Sequence, residues 1–220
     1  MRLTIFFLLG LSLSFRGLAG EIHTGFPENI DPAGTYVFYS HGLIVEGNNP
    51  KPVHPKFGVY DFPAIKSTLA GSGFDLIAYH RPANTDPRAY ALQLAKQVKT
   101  LVKAGVRADR ITILGFSIGG LITALTSDQL KNKNINVIIM AGCSPWLIEN
   151  AEVKIYGRFL SVYETSDAVG SCGVLAERSK GIGSFDEIAI TTGKGHGAFY
   201  KPIDDWVLPV LDWILRQCTR

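Results

Sequence analysis

The sequence predicts an α/β fold in which helices cover both faces of a mostly parallel central sheet. Short runs rich in β-branched and aromatic residues alternate along the chain with segments of helical periodicity. The strand-like runs are almost unbroken apolar stretches, which is typical of strands buried on both faces of a parallel sheet. The chain has 220 residues, 46% hydrophobic and 19% charged, which is enough for one domain with a full core.

The predicted elements follow one another in a regular order. Strands are predicted in "TYVFYSHG", "FDLIAYHRP", "RITILGFS", "INVIIMAGCS", "GRFLSVYETSD" and "FDEIAITTGKGHG". Helices are predicted in "FPAIKSTLAGSG", "DPRAYALQLAKQVKTLVKAGV", "GGLITALTSDQL" and "IDDWVLPVLDWILRQC". The second helix has the clearest signals, because Asp86 is a suitable cap and Pro87 takes the first helical position. Its predicted apolar stripe consists of Tyr90, Leu92, Leu94, Val98, Leu101 and Val102.

Residues 1–19 are predicted to be a secretory signal peptide, which leaves residues 20–220 as a single mature domain. An early arginine precedes an apolar run that ends at Phe15, and the small residues Gly17 and Ala19 mark a cleavage site after Ala19. An uncleaved anchor is the alternative, although the run is short for a bilayer span. The mature protein is therefore expected to be secreted or periplasmic, with no stable membrane span.

Charge and ligand spacing exclude several classes of partner. Without the leader, 20 basic residues stand against 19 acidic ones, and no run of lysine or arginine could follow a phosphate backbone. Nucleic acid is therefore not an expected partner. The three cysteines have no metal-site spacing, so neither a metal nor another cofactor is expected.

The segment "GFSIG" places Ser117 between Gly115 and Gly119, where a predicted strand meets a predicted helix. This G-x-S-x-G pattern in that context is the signature of a nucleophile elbow. The turn is so sharp that side chains two residues before and after the serine would collide, which explains both glycines. An ordinary tight turn is the alternative reading.

A nucleophilic serine needs a base and an orienting acid. His196 is the predicted base, because it follows the last predicted strand and is flanked by glycines. Asp167 is the predicted acid, because it directly follows a strand and lies between serine and histidine in the chain. Glu164 and Asp186 are its rivals: Glu164 is predicted to lie within a strand, and Asp186 to begin one at the wrong end of the sheet.

An oxyanion hole needs two backbone N–H groups aimed at the developing negative charge. Ile118, directly after the nucleophile, is one predicted donor. Leu43, in the loop after "TYVFYSHG", is the other. His41 is expected to brace that loop through hydrogen bonds, and Arg81 is expected in a surface salt bridge unless it meets an anionic group of the substrate.

Taken together and in this order, "YSHG", "GFSIGG", "ETSD" and "GKGHG" resemble the α/β-hydrolase superfamily. The resemblance covers essentially the whole mature chain. It implies that Ser117, Asp167 and His196 form a triad that hydrolyses a small-molecule or lipid-like carboxylic ester or thioester through an acyl-enzyme. A catalytically silent binding module and a peptidase of the same fold are the alternatives.

The resemblance also has consequences for the loops around the site. Cap domains in the superfamily are usually inserted where this chain has only "SPWLIENAEVKIY", so no cap domain is expected. Cys143 and Cys172 follow the two strands that flank this segment, and they are the pair favoured for a disulfide, with two unrelated thiols as the alternative. Trp146 and Phe199, with the neighbouring Tyr200, are candidate substrate-binding residues, although aromatic residues at such positions are as often simple packing.

Overall fold

In a computed structural model of the chain, which describes residues 20–218, the elements form a central sheet between two layers of helices. The predicted signal peptide lies outside the described residues. The strands are β1 (Ile22–His23), β2 (Tyr36–Ser40), β3 (Val53–His54), β4 (Gly58–Val59), β5 (Asp75–Ile77), β6 (Ile111–Phe116), β7 (Asn136–Met140), β8 (Tyr156–Glu164) and β9 (Gly181–Ile190). The helices are α1 (Phe62–Ala70), α2 (Pro87–Lys103), α3 (Ile118–Leu130), α4 (Pro145–Glu149), α5 (Gly173–Glu177) and α6 (Asp204–Cys218).

The central sheet has seven strands in the order β1-β5-β2-β6-β7-β8-β9, and every neighbouring pair in it is parallel. The predicted α/β class is thus confirmed. Strands β3 and β4 form a separate antiparallel hairpin, here called the β3–β4 hairpin. The carboxyl ends of parallel strands lie at one edge of a sheet, so the loops after β2, β5, β6, β8 and β9 meet there.

Alternate side chains of the strands supply two cores. On one face, α1 and α6 pack against β-strand residues such as Val37, Leu114 and Ile138. On the other face, α2 and α3 pack against Phe38, Ile113 and their neighbours. Burial of these apolar side chains on both faces explains why the strands read as unbroken apolar runs.

Helix α2 begins as the sequence predicts. The Asp86 carboxylate accepts a hydrogen bond from the N–H of Ala89 at 2.7 Å, and Pro87 is the first helical residue. The apolar stripe is narrower than predicted: Leu92 and Val102 are 47% and 40% exposed. The buried face of α2 also includes the small residues Ala91 and Ala95.

The crossover between β7 and β8 is short. Residues 141–155 contain only α4 and the loops that flank it, which leaves no room for a cap domain at this position, as predicted. A disulfide joins Cys143 at the start of this crossover to Cys172, which precedes α5. The bridge fastens the loop that follows β7 to the loop that follows β8. Within residues 20–218, no helix is long and apolar enough to pass through a lipid bilayer.

Candidate active site

Ser117 occupies the sharp turn between β6 and α3. Its backbone has φ 57° and ψ −121°, a conformation that a residue with a side chain rarely adopts. The N–H of Ser117 donates to the carbonyl of Met140 at 3.0 Å, which ties the turn to the end of β7. Strain held in place by packing is characteristic of functional turns of this type.

The two glycines of the motif are required for different reasons. A Cβ on Gly115 would lie 2.0 Å from the carbonyl oxygen of Gly119, so this contact is internal to the turn, as predicted. A Cβ on Gly119 would instead lie 1.9 Å from the carbonyl oxygen of Ser40 at the end of β2. The second glycine therefore allows the first turn of α3 to approach the neighbouring strand, whose loop carries the predicted oxyanion donor.

Ser117, His196 and Asp167 form a continuous chain of hydrogen bonds. His196 Nε2 lies 2.9 Å from Ser117 Oγ, and His196 Nδ1 lies 2.6 Å from Asp167 Oδ2. A carboxylate can only accept, so Nδ1 carries the proton and Nε2 is free to accept from the serine hydroxyl. The structure thus brings the three predicted catalytic residues together in the order that proton transfer from serine to histidine requires.

The acid and the base come from adjacent loops at the same sheet edge. Asp167 lies three residues after the end of β8, and its N–H donates to the carbonyl of Glu164 at 3.0 Å. His196 lies in a 3₁₀ turn, Gly195–Tyr200, that follows β9. The Gly195 N–H donates to Ser166 Oγ at 3.2 Å, so the two loops also contact each other directly.

Glu164, a rival candidate for the acid, forms hydrogen bonds to both of these loops. The side chain is fully buried at the end of β8. Its Oε2 accepts from the N–H and Oγ of Ser166, at 2.6 and 2.5 Å. Its Oε1 accepts from the N–H groups of Thr192 and Gly193, both at 2.8 Å, and from Thr192 Oγ1 at 3.2 Å.

These contacts determine the charge state of Glu164. Burial acts to raise its pKa, but the hydrogen bonds from Ser166, Thr192 and Gly193 outweigh burial and lower the pKa from 4.5 to about 2. A carboxylate with its acceptor sites filled in this way holds the loops in place and has no contact with His196. Glu164 is predicted from the sequence to lie within a strand, and the structure places it as the last residue of β8.

Asp186, the other rival, contacts a residue of α6. It occupies the middle of β9 and does not begin the strand, because β9 starts earlier than predicted, at Gly181. Its carboxylate accepts a hydrogen bond from Trp213 Nε1 at 3.2 Å. Asp186 thus anchors α6 to the sheet.

The predicted oxyanion donors both lie near Ser117, since Leu43 lines one cavity with it and Ile118 follows it in the chain. Leu43 begins a 3₁₀ turn, Leu43–Val45, and Ile118 begins α3. The first N–H groups of a helix have no acceptor within it, so both groups are available to an oxyanion. A cavity of about 360 Å³ is lined by Leu43, Ile44, Phe116, Ser117, His196 and Tyr200, among others. It is here called the acyl cavity, after the role proposed for it below.

His41 braces the loop that carries Leu43, as predicted. The imidazole is fully buried, with Nδ1 2.8 Å from the Gly42 carbonyl and Nε2 accepting from the Arg81 N–H at 3.0 Å. Burial and the nearby Arg81 charge lower the pKa of His41 to about 3. His41 therefore stays neutral at neutral pH.

Arg81 supports the same loop from the end of β5. The guanidinium is buried, not at the surface as the sequence suggested, and it pairs with Glu46 at 3.3 Å. Its Nη2 donates to the His41 carbonyl at 2.6 Å. Arg81 thus has no surface from which to meet a substrate, and its predicted alternative role is wrong.

Two predicted substrate-binding residues lie elsewhere. Phe199 has no exposed surface and packs between Phe116 and Trp206 in the core. Trp146 is 44% exposed on α4 beside the Arg88 guanidinium, and it lines neither cavity next to His196. The neighbouring Tyr200 lines the acyl cavity instead, because the 3₁₀ turn directs successive side chains to different sides.

Aromatic rings surround the imidazole of His196. Its ring centroid lies 4.7 Å from that of Phe116 and 6.2 Å from that of Phe57. Phe57 belongs to the turn of the β3–β4 hairpin, where no strand is predicted from the sequence. His54 of the same hairpin stacks on Phe57 at 4.7 Å and lines the acyl cavity, so this hairpin is part of the site.

Comparison with known proteins was made by sequence and by structure. No protein-family model matches the chain. Part of it is 34% identical over 83 residues to acyl-protein thioesterase 1 homolog 2 of Dictyostelium discoideum. The match covers 36% of this chain and 37% of that relative, so it spans little more than a third of the relative's length.

Solved structures share the architecture over most of the chain. A single-residue variant of Arabidopsis thaliana SOBER1 has a TM-score of 0.57 at 14% identity, covering 83% of this chain and 99% of that one. A monoacylglycerol lipase of Paleococcus ferrophilus has a TM-score of 0.56 at 13% identity, covering 84% and 96%. A CIB-like hydrolase of Thermoplasma acidophilum has a TM-score of 0.55 at 17% identity, covering 83% and 86%. The chain has the α/β-hydrolase fold.

Proposed function

We propose that the protein is an exported serine hydrolase that cleaves carboxylic esters or thioesters through an acyl-enzyme intermediate. The observation that carries this proposal is the chain of hydrogen bonds from Ser117 Oγ through His196 to Asp167, with distances of 2.9 and 2.6 Å. The similarity to a thioesterase homologue and to a lipase supports the same class of substrate.

In this mechanism Ser117 Oγ attacks the carbonyl carbon while His196 Nε2 takes the hydroxyl proton. Asp167 accepts a hydrogen bond from Nδ1 and stabilises the imidazolium that forms. The N–H groups of Leu43 and Ile118 stabilise the oxyanion of the tetrahedral intermediate. His196 then gives its proton to the leaving group, and water attacks the acyl-enzyme with His196 again acting as base.

The acyl cavity suits a small or lipid-like acyl group. Its lining includes the apolar side chains of Leu43, Ile44 and Phe116 together with the ring of Tyr200. Each Å² of apolar surface that an acyl chain buries in this cavity would contribute about 25 cal/mol to binding. A panel of esters of increasing acyl length would show the chain length beyond which kcat/KM no longer rises.

The decisive experiment is labelling with a fluorophosphonate probe, which modifies an activated serine. The wild-type protein is expected to be labelled and to hydrolyse the ester panel, and Ser117→Ala is expected to lose both properties. Ser184→Ala, at an exposed serine on β9, is the matched control and should retain both. Absence of both labelling and hydrolysis in the wild-type protein would favour a binding module instead. Hydrolysis that persists in Ser117→Ala would remove Ser117 from the mechanism.

A peptidase of this fold is the second candidate for the same catalytic residues. Turnover of short-chain nitrophenyl esters should exceed turnover of peptide amides by several orders of magnitude if the protein is an esterase. Comparable turnover of both substrate types would favour the peptidase.

Export remains a proposal that rests on the predicted leader, and the disulfide between Cys143 and Cys172 supports it. Fractionation of the producing cells, with N-terminal sequencing of the mature protein, tests it. A mature chain that begins at residue 20 in an extracytoplasmic fraction is the expected result.

A further inference from the structure

A second cavity adjoins His196 on the side away from Leu43. Its volume is about 470 Å³, and its lining includes Lys56, Phe57, Asp167, Lys194, Gly195 and His196. His196 lines both this cavity and the acyl cavity, so the two cavities adjoin the same residue. We call this second space the basic cavity, for the charges described next.

Two lysines give the basic cavity its charge. Lys56 lies in the turn of the β3–β4 hairpin, and Lys194 lies in the loop after β9, so they belong to different parts of the fold. Both are exposed, and within residues 20–218 neither forms an ion pair. The Lys56 ammonium lies 5.2 Å from the centroid of the Phe57 ring.

The negative charge nearby is already engaged. Asp167 is the carboxylate among the residues that line the basic cavity, and its Oδ2 is bound to His196 Nδ1. Glu164 lies behind the same loops with its oxygens filled by five hydrogen bonds. The lining therefore carries the two lysine charges against the single carboxylate of Asp167, and this excess of positive charge favours an anionic group in the cavity.

The proposed reaction determines which part of a substrate reaches this cavity. When the bond between Ser117 Oγ and the carbonyl carbon has formed, the bond from that carbon to the leaving oxygen or sulfur breaks. The leaving atom takes its proton from His196 Nε2, so it must lie next to the imidazole. With the acyl chain in the acyl cavity, the remainder of the leaving group extends past His196.

We propose, on the basis of the function proposed above, that the basic cavity binds the leaving group and selects alcohols or thiols that carry a phosphate or carboxylate. Lys56 and Lys194 contact this anionic group from opposite sides, and Phe57 packs against the carbon chain that links it to the ester. The lysines thus act in substrate specificity and have no part in the chemical step.

The expected effect is moderate because both ammonium groups are exposed. A single exposed ion pair contributes roughly 1.5- to 5-fold in binding. The two lysines together are therefore expected to lower the KM for an anionic ester by roughly tenfold relative to a neutral ester. Salt at about 0.5 M should remove most of this preference, because exposed charges are screened over a few ångströms at that concentration.

The test compares 1-butanoylglycerol 3-phosphate with 1-butanoylglycerol, which differ only in the charged group distant from the ester. The butanoyl ester of 4-hydroxybutanoate, with its neutral amide as partner, distinguishes a carboxylate from a phosphate. The variants are Lys56→Gln, Lys194→Gln and the double variant, and Lys99→Gln on the exposed side of α2 is the matched control.

We expect the double variant to raise the KM for the anionic ester roughly tenfold while turnover of the neutral ester is unchanged. A preference for either anionic ester that disappears in the double variant supports the proposal. Equal turnover of charged and neutral esters, or a preference that survives in the double variant, overturns it while leaving the serine hydrolase intact. Failure to hydrolyse any of the four esters would contradict the proposed function itself.

Discussion

Replacement of Glu164 by glutamine tests whether one buried carboxylate holds two loops together. These are the loop after β8 that carries Asp167, here called the acid loop, and the loop after β9 that carries His196, here called the base loop. Oε1 of Glu164 accepts from the N–H groups of Thr192 and Gly193 on the base loop, and Oε2 accepts from Ser166 on the acid loop. Glutamine keeps one acceptor oxygen and replaces the other by an NH₂ group. With its oxygen toward the base loop, it leaves the Ser166 N–H facing a donor.

The size of the effect follows from these contacts. One buried N–H without an acceptor costs about 1–3 kcal/mol. We expect Glu164→Gln to lower the free energy of unfolding by about 2 kcal/mol, which corresponds to a decrease in Tm of roughly 4–8 °C for a domain of this size. Glu164→Ala removes the acceptor for three backbone N–H groups and should cost about 3–5 kcal/mol.

The pH dependence gives a second, independent readout. The pKa of Glu164 is lowered from 4.5 to about 2 in the folded protein. A lowered folded pKa means that the stabilisation is fully present above the unfolded pKa of 4.5 and is lost as the pH falls toward 2. The difference in stability between wild type and Glu164→Gln should therefore be constant near neutral pH and decrease below about pH 4.5.

Urea unfolding at a series of pH values from about 7 to about 3 measures both quantities. Glu152→Gln, at an exposed position, is the control and should stay within about 0.5 kcal/mol of wild type. If Glu164→Gln were as stable as this control at pH 7, or if its deficit did not decrease in acid, the role assigned to Glu164 would be wrong.

Two further predictions concern the frame of the site. Gly119→Ala should destabilise the protein by about 3 kcal/mol or more and abolish ester hydrolysis, because its Cβ would lie 1.9 Å from the Ser40 carbonyl; Gly170→Ala, with open space around the new Cβ, should be neutral in urea unfolding and activity assays. Replacing Cys143 and Cys172 by alanine should cost about 3–4 kcal/mol, from the closure of a loop of 29 residues, and should make urea unfolding insensitive to reductant; equal stability of the reduced and oxidised wild-type protein would contradict this.

The order of strands and helices and the turn around Ser117 could be predicted from the sequence, because the residue patterns that mark them are local. The strand-to-helix junction around Ser117 has its glycines at fixed spacing, and Asp86 with Pro87 marks the start of α2. The order of strands and helices then determines which loops share a sheet edge. For this reason the proximity of Asp167 and His196 to Ser117 could be predicted from the sequence, although they lie 50 and 79 residues after it.

Other features depend on packing that no local pattern encodes. Phe199 and Tyr200 are adjacent aromatic residues, and only the direction of the 3₁₀ turn decides which of them lines the acyl cavity. Arg81 was expected at the surface because arginine usually is, but its partners Glu46 and His41 come from a distant loop. The role of Glu164 is equally nonlocal, since three of its five donors follow a different strand, β9.

The neutral, buried state of His41 has a consequence for enzyme kinetics. With a pKa of about 3, this imidazole does not gain a proton anywhere in the range where the protein would be assayed. A loss of turnover as the medium is acidified through pH 6 therefore cannot originate in protonation of His41. Any ionisation seen there in kcat/KM belongs to another group of the free enzyme.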